Sequence, residues 1–300
     1  MKVLITGSSG FIGSNIKNMF IKLFLKNQNH KYKVFSIDNF PDKYDNNCFV
    51  CDILTKDFDN YLYKVEPDII VHCAAKTPKS YESANADFSE NRKIDDKIIN
   101  FCYNKKIKLI YMSGTSLYKT EKFEYKLKED SEIYPNNNYL QAKADSEKEI
   151  LKTLNEYVIL RISSPYGPGQ RANTVLKIFI ENALRGHDIV FLGKGSRTQD
   201  FIYIEDISKA VNKLIESNNI SGIFNINSGY PISMKDLAYL VKKSIPGCKS
   251  EIKSSGFDIQ ENYRALFDNT KAKKVLNWNP ISIEEGIINT IDYFRKIIVT

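Results

Sequence analysis

A tyrosine and a lysine in the middle of the chain have the spacing of an acid–base pair. Tyr139 and Lys143 open and close the run YLQAK, which begins a segment of helical length. Four-residue spacing puts both side chains on one helix face. An ammonium beside a phenol stabilises the phenolate, which can then act as a general base near neutral pH. The alternative is an ordinary pair on the protein surface. It has to be considered because Lys and Arg total 43 residues, so this spacing can arise by chance.

A glycine-rich segment near the N-terminus has the pattern of a phosphate-binding turn. It runs GSSGFIG over 7–13, between an apolar run at 2–6 and an apolar-periodic segment at 11–26. Glycines there allow a tight turn, close helix packing and the approach of backbone N–H groups to a pyrophosphate. The helix N-terminus adds partial positive charge. The segment therefore predicts a dinucleotide site.

An aspartate at the end of the next apolar run supports the same site. Asp38 follows the predicted strand 33–37 and lies 25 residues beyond Gly13. A carboxylate at this place can accept hydrogen bonds from the adenosine ribose hydroxyls. It would also repel a 2′-phosphate, so NAD is favoured over NADP. The alternative is an ordinary turn residue at a strand end.

Short apolar runs alternate with helix-length segments through the first half of the chain. Further strands are predicted at Cys48–Val50, Asp68–Cys73, Ile107–Met112 and Tyr157–Ile162, and helices near Thr55–Lys64, Asn85–Tyr103 and Asn138–Asn155. This alternation is typical of βαβ units, so we expect an α/β fold with a doubly wound parallel sheet. After Pro165 turn-rich segments interrupt the pattern, which indicates a second, smaller lobe.

The composition limits the possible partners and compartment. With 42% hydrophobic and 26% charged residues, 300 residues can build a sizeable core. The net charge of +7 is spread as isolated lysine pairs, so we expect no nucleic-acid binding. Five cysteines and one lone C-x-x-C (Cys48 and Cys51) favour neither a disulfide scaffold nor a metal site. A signal peptide and an apolar stretch of about 18 residues are both missing from the sequence, so we expect a cytoplasmic protein with no membrane contact.

Several motifs occur together in a recognisable order. They are TGSSGFIG (6–13), Asp38, Asp52-Ile53, HCAA (72–75), Tyr139 with Lys143, RISSPYGPG (161–169), DFIYIEDI (200–207) and LNWNP (276–280). With them the chain resembles an extended short-chain dehydrogenase/reductase of the NAD-dependent nucleotide-sugar epimerase/dehydratase type. The resemblance covers nearly the whole chain. It implies a Rossmann domain at 1–165 with a returning segment near 200–226, a substrate-binding lobe mainly at 166–300, and a homodimer.

The resemblance also implies residue roles. Tyr139 would be the base, and Lys143 would bind the nicotinamide ribose. The cofactor-binding residues would be Gly7, Gly10, Phe11, Ile12, Gly13, Asp38, Asp52, Ile53, Cys73, Ala74, Ala75, Lys76 and Asn91, together with Tyr139 and Lys143. The sugar nucleotide would contact Ser164, Arg171, Arg197, Gln199 and Arg264. For each arginine the alternative is a solvated surface charge.

Three positions depart from the family pattern. Gly114 stands where the family has a catalytic Ser or Thr, so the hydroxyl must come from Ser113 or Thr115, or be absent. Thr115 and Ser116 stand where 4,6-dehydratases carry an Asp-Glu pair, which disfavours a dehydratase. Ser164 and Gln199 replace the Asn and Arg with which many members hold the nucleotide, so the base is left open.

We therefore predict an enzyme that oxidises and reduces a nucleotide-activated sugar with NAD. The expected reaction is C4 epimerisation through a 4-keto intermediate, which makes the protein both an oxidoreductase and an isomerase in chemical terms. A nucleotide-sugar 4-dehydrogenase or 4-ketoreductase would stop after one hydride transfer. A non-catalytic NAD-binding protein is the alternative from another class, and Gly114 is the feature that favours it.

Overall fold

The computed structural model describes residues 1–27, 32–41, 48–80, 82–119, 125–217 and 219–298. Its strands are β1 (Lys2–Thr6), β2 (Lys33–Asp38), β3 (Cys48–Val50), β4 (Ile69–His72), β5 (Lys108–Gly114), β6 (Tyr157–Ile162), β7 (Ser164–Tyr166), β8 (Ile189–Leu192), β9 (Thr198–Gln199), β10 (Phe201–Tyr203), β11 (Gly222–Ile226), β12 (Ile232–Ser233) and β13 (Ile252–Ser255). Its α-helices are α1 (Phe11–Asn27), α2 (Lys56–Val65), α3 (Ser89–Lys105), α4 (Asn138–Thr153), α5 (Val175–Leu184), α6 (Ile204–Glu216), α7 (Met234–Lys243), α8 (Thr270–Leu276) and α9 (Ile283–Ile298). None of the described helices combines the length and the apolar character needed to cross a membrane.

The chain folds into two compact units. The first contains Met1–Tyr118, Glu132–Arg161 and Ile207–Phe224. The second contains Lys119–Ser131, Ile162–Asp206 and Asn225–Thr300. The assignment of NAD to one unit and of substrate to the other stays a prediction.

A seven-stranded sheet runs in the order β11-β6-β5-β4-β1-β2-β3 within the described residues. The pairings from β3 through β2, β1 and β4 to β5 are all parallel. The order reverses between β1 and β4, and in such sheets ligands bind beyond the carboxyl ends of the strands at this reversal. The predicted Rossmann-type α/β fold is confirmed, and a ligand site is expected at its switch point.

Apolar strands with helical cover explain why the sheet forms. Leu4 in β1 and Ile70 in β4 are fully buried, and so is Phe58 from α2. Strands buried on both faces need such continuous apolar runs, because neither face meets water. The second unit has its own core, in which Phe179 of α5 and Leu237 of α7 are buried.

Two elements differ from their predicted limits in ways that affect the site. Helix α3 begins at Ser89 rather than Asn85, because the Asp87 carboxylate accepts the Ser89 N–H at 2.7 Å and starts the helix there. Strand β5 continues to Gly114 instead of ending at Met112. Gly114 itself therefore belongs to the sheet, and Thr115 follows the end of the strand directly.

Candidate active site

The turn after β1 is packed so closely that only glycine fits at two of its positions. Gly7 has φ of +64°, and a Cβ on it would lie 2.6 Å from the Ala74 backbone nitrogen. A Cβ on Gly13 would lie 2.2 Å from the Gly7 carbonyl oxygen. The Gly10 N–H donates to the same carbonyl at 3.1 Å and closes the turn. Helix α1 can therefore begin directly against the end of β1.

The residues around this turn fit a dinucleotide. The first N–H groups of a helix have no partner within it, so those of Phe11 and Ile12 can meet a pyrophosphate. Asp38 ends β2 beside them, where its carboxylate accepts the Ser9 N–H at 2.9 Å and the Phe40 N–H at 3.1 Å. Each carboxylate oxygen retains further acceptor capacity for a ribose hydroxyl.

A methyl group at Gly13 tests this turn. Gly13→Ala is expected to weaken NAD binding by about 10- to 100-fold, because backbone atoms of Gly7 and Ser8 would have to move. Titration of NADH fluorescence measures the affinity. Gly186→Ala is the control for a methyl group outside the turn: a Cβ there would meet nothing within 4 Å, and the strain at its φ of +73° should lower stability without changing NADH affinity. An unchanged affinity in Gly13→Ala would contradict the pyrophosphate assignment.

The proposed adenine end lies after β3. Ile53 is buried, whereas Asp52 is exposed and its Oδ1 accepts the Leu54 N–H at 2.8 Å. This local bond orders the turn and leaves the second oxygen of Asp52 for a ligand.

The segment after β4 lies beside the glycine turn. The Cys73 N–H donates to the Thr6 carbonyl, and Asn91 accepts from the Lys76 N–H while donating to the Lys76 carbonyl, both at 2.8 Å. Burial raises the pKa of the Cys73 thiol to about 12, so it is a neutral lining group. Asn91 thus supports the segment Cys73–Lys76, which includes Ala74 and Ala75, without itself having to touch a ligand.

Tyr139 and Lys143 sit in the first turns of α4, as predicted. The Asn137 side chain caps this helix by accepting the Leu140 N–H at 2.9 Å. The Tyr139 ring packs edge-on against Phe88, with centroids 5.2 Å apart. Lys143 is only 7% exposed, and its amine is held within the first unit. The Tyr139 side chain is thus half-buried, whereas the Lys143 amine that would assist it is enclosed.

The two candidate hydroxyls near Gly114 have different surroundings. Ser113 donates to the Glu147 carboxylate at 2.5 Å, and both side chains are buried. Glu147 also holds the Arg161 guanidinium, with 2.6 Å between Oε2 and Nη2. Thr115 is buried in the short 3₁₀ turn that follows β5, and the described residues show no hydrogen bond from its hydroxyl. Thr115 is therefore the better hydroxyl candidate.

The residues expected to meet the substrate all lie in the second unit. Ser164 and Gln199 are hydrogen-bonded to each other. Arg197 is already engaged: its Nε donates to the Asp258 carboxylate at 3.0 Å. Arg264 donates to the carbonyls of Glu261 and Tyr263, both at 2.9 Å. Arg171 is exposed in the segment between β7 and α5.

The C-x-x-C cysteines pair with hydroxyl groups rather than with each other. Cys48 Sγ lies 3.3 Å from Ser8 Oγ, and Cys51 Sγ lies 3.2 Å from Thr55 Oγ1. All five thiols are free. In the part of the chain that the structure describes, no group of three His, Cys, Asp or Glu side chains could hold a metal ion.

Sequence reasoning missed a set of buried polar residues around Lys143. Asp95, Tyr111, Ser146 and Glu147 are all nearly inaccessible, although none was singled out by a motif. One available signal was the helix period, because Asp95 follows Asn91 and Glu147 follows Lys143 by one turn.

The glycine turn at the switch point, Asp38 and the Tyr139–Lys143 pair are features that an enzyme with a bound nicotinamide dinucleotide would need. A model of the NAD dependent epimerase/dehydratase family matches residues 3–227. The chain belongs to this family, and its cofactor is NAD.

Relatives resemble the chain over almost its full length. The UDP-glucose 4-epimerase of Mycolicibacterium smegmatis is 26% identical, with 99% of each chain covered. The dTDP-D-glucose 4,6-dehydratase of Mus musculus is 26% identical over 98% of this chain and 89% of its own. A crystal structure of UDP-glucose 4-epimerase from Thermotoga maritima with UDP-glucose is 25% identical, has a TM-score of 0.86, and is matched over 99% of this chain and 100% of that one. Both reaction types of the family are thus among the relatives.

Proposed function

We propose that the protein interconverts the C4 epimers of a nucleotide-activated sugar. The observation that carries the proposal is the Tyr139–Lys143 pair on α4 combined with Thr115-Ser116 after β5. Tyr139 can exchange a proton with a sugar hydroxyl, which every redox reaction at C4 needs. Thr115 and Ser116 lack the carboxyl groups that elimination of water at C5 and C6 would need. The epimerases among the relatives support the same choice.

The proposed reaction is balanced without a second substrate. Bound NAD supplies a reversible hydride acceptor. Tyr139 would take the proton of the C4 hydroxyl as C4 is oxidised, which would give a 4-keto sugar. After the sugar turns, Tyr139 would give its proton back to the oxygen as C4 is reduced from its other face. Lys143 keeps the phenolate stable during this exchange.

We assign the third polar group at C4 to Thr115. Thr115→Val keeps the shape of the side chain but removes the hydroxyl, and it is expected to lower kcat by about 100-fold. Thr115→Ser should retain most of the activity, and the exposed Ser116→Ala serves as the control. Normal kcat in Thr115→Val would contradict this assignment: either another residue supplies the hydroxyl or the reaction needs none.

Recognition of the nucleotide is assigned to the second unit. Ser164 and Gln199 present neutral donors and acceptors, whereas Arg171, Arg197 and Arg264 can meet a diphosphate. Arg197 would do so with its remaining N–H groups, while its Nε keeps Asp258 and its Nη1 keeps Gln260. Substitution of Arg197 would then raise KM more than it lowers kcat.

A panel of nucleotide sugars tests the function. The purified protein is incubated with UDP-, dTDP-, GDP- and ADP-linked hexoses, and products are separated by anion-exchange chromatography and identified by NMR of the sugar. Epimers at C4 without net NADH support the proposal. Accumulation of NADH with a keto sugar would instead indicate a 4-dehydrogenase, consumption of added NADH with a 4-keto sugar would indicate a 4-ketoreductase, and no response to any sugar would favour a non-catalytic NAD-binding protein.

We further propose that the enzyme works in the cytoplasm as a homodimer. Five free thiols suit a reducing compartment. Tyr103 of α3 and Leu151 of α4 are exposed apolar side chains on helices of the first unit, which a second copy could cover. Light scattering coupled to gel filtration should give twice the 34.5 kDa chain mass. A mass of one chain would exclude the dimer.

A further inference from the structure

The amine of Lys143 is fixed by two acceptors inside the first unit. Its Nζ donates to the Tyr111 hydroxyl and to the Met112 carbonyl oxygen, both at 3.0 Å. It also lies 4.4 Å from the centroid of the Tyr111 ring. An ammonium has three N–H donors, so these contacts leave one for the Tyr139 side or for a ribose hydroxyl. The direction of that third N–H is thus set by β5.

Behind Tyr111 lies a buried carboxylate. Asp95 Oδ2 accepts the Tyr111 hydroxyl at 2.6 Å and the Ser146 hydroxyl at 2.7 Å. Its Oδ1 lies 2.9 Å from His72 Nε2, and His72 Nδ1 lies 2.6 Å from Thr6 Oγ1. Asp95 is only 1% exposed. Every oxygen of this carboxylate is therefore engaged, and the hydroxyl of Tyr111 connects it to the lysine.

The charges around Lys143 single out Asp95. Tyr111 is a neutral phenol, because burial raises its pKa well above the usual range. Cys73, which faces the amine from the end of β4, is a neutral thiol. Tyr139 is the group that would gain and lose a proton in the proposed reaction. Among the described groups that face Lys143, Asp95 is the permanent anion.

The remaining ionisable groups near Asp95 leave this assignment intact. His72 faces it across a hydrogen bond. Arg92 reaches the network through Ser146, with 3.3 Å between Nη1 and Oγ, and it is itself paired with Asp96. Burial alone would raise the pKa of Asp95, but Lys143 and the hydrogen bonds from His72 and Tyr111 lower it to about 2. The carboxylate is therefore ionised throughout the range in which the enzyme would work.

We propose that Asp95 is the buried counter-ion of Lys143 and acts through the Tyr111 hydroxyl to keep the amine charged and aimed. Asp95 is thus a positioning residue: it touches neither substrate nor cofactor. This inference rests on the proposed function only for its catalytic consequence, since the counter-ion role is a property of the folded first unit.

The physical reason is the opposition between burial and pairing. Burial lowers the pKa of a lysine by favouring the neutral amine, and in Lys143 this is the largest single influence. The groups Tyr111, Asp95 and Tyr139 act in the opposite direction, and the net direction is upward. Without the Asp95 charge only Tyr111 and Tyr139 would oppose the desolvation of Lys143, so the pKa of its amine would fall. A neutral Lys143 could no longer stabilise the phenolate of Tyr139.

The test measures Lys143 directly in the NAD-bound protein. Lysine labelled with ¹³C at Cε reports amine protonation by NMR, and the nearby Tyr111 ring shifts the Lys143 signal away from those of surface lysines. In the unmodified enzyme this signal should stay in its charged position beyond pH of about 10.4, the usual lysine value. In Asp95→Asn, which keeps the shape of the side chain, Lys143 should titrate roughly 2 to 4 pH units lower than in the unmodified enzyme.

Two variants complete the design. Asp96→Asn makes the same chemical change at the neighbouring, half-exposed position of α3, and Lys143 should titrate as in the unmodified enzyme. Tyr111→Phe removes the connecting hydroxyl but keeps the ring, and it should lower the pKa of Lys143 by a smaller amount than Asp95→Asn. If Asp95→Asn does not fold, the Tyr111→Phe titration decides alone.

The outcomes separate this inference from the proposed function. The counter-ion role is overturned if Lys143 titrates in Asp95→Asn as it does in the unmodified enzyme, whatever the activity. The same holds for Tyr111→Phe if that variant has to decide. If the role holds and the enzyme is an epimerase, the high-pH limb of kcat/KM should move down in Asp95→Asn by the same interval. If no nucleotide sugar reacts, the proposed function fails while the NMR result still stands.

Discussion

Replacing Tyr139 with Phe is expected to lower kcat by about 100- to 10,000-fold while NAD stays bound. The change removes one oxygen atom, and the ring can still pack edge-on against Phe88. The proton of the C4 hydroxyl then has no acceptor of suitable basicity at the place where hydride leaves. The Lys143 amine remains fixed by Tyr111 and Met112, so its proposed contact with NAD should survive.

Two measurements separate lost chemistry from lost structure. The first is the initial rate with the sugar nucleotide that responds in the substrate panel. The second is NADH affinity, which should change by less than about threefold, a difference below 1 kcal/mol. Tyr239→Phe, at an exposed position of α7, should match the unmodified enzyme in both. Full turnover by Tyr139→Phe would remove Tyr139 from the mechanism and, with it, the main support for redox chemistry at C4.

The parts of the site that sequence reasoning could find are those defined over a short stretch of chain. The glycine turn occupies seven consecutive residues between a strand and a helix, and the Tyr139–Lys143 spacing is one helical turn. Asp38 was found because strand ends can be read from where apolar alternation stops. The parallel sheet followed from the alternation of strands and helices rather than from any single residue, whereas the order of its strands was not predicted.

The network behind Lys143 could not be found in this way. Asp95, Tyr111 and Lys143 come from α3, β5 and α4, and only the packing of those three elements brings their polar atoms within 3.0 Å. The different roles of Ser113 and Thr115 were likewise undetermined from sequence. Which of two neighbouring hydroxyls is engaged depends on Glu147, which is 34 residues further along the chain. Contacts of this kind depend on side-chain volumes across a sheet, and one sequence does not encode them as a pattern.

Removing the charge of Glu147 is expected to destabilise the first unit by about 3 to 5 kcal/mol. The Glu147 and Arg161 side chains are 2% and 5% exposed, and their closest atoms are 2.6 Å apart. Glu147→Gln would leave the Arg161 guanidinium buried beside the Tyr118 ring, 4.8 Å from its centroid, without the carboxylate that compensates its desolvation. The midpoint of urea unfolding, with the slope held constant, measures the loss. Arg295→Ala, at an exposed ion pair on α9, is the control and should leave the midpoint nearly unchanged.

A double substitution shows whether the pair stabilises the fold or only avoids a buried charge. Glu147→Leu with Arg161→Met removes both charges and fills much of the same volume, so it should cost less than either Glu147→Gln or Arg161→Met alone. The double variant also deprives the Ser113 hydroxyl of its acceptor at the end of β5. Gly114 and Thr115 follow Ser113 directly. If the double variant regains stability but not kcat, the ion pair matters for holding the end of β5 in position. Single variants that each cost less than about 1 kcal/mol would contradict the assignment, because a loss that small is typical of exposed ion pairs.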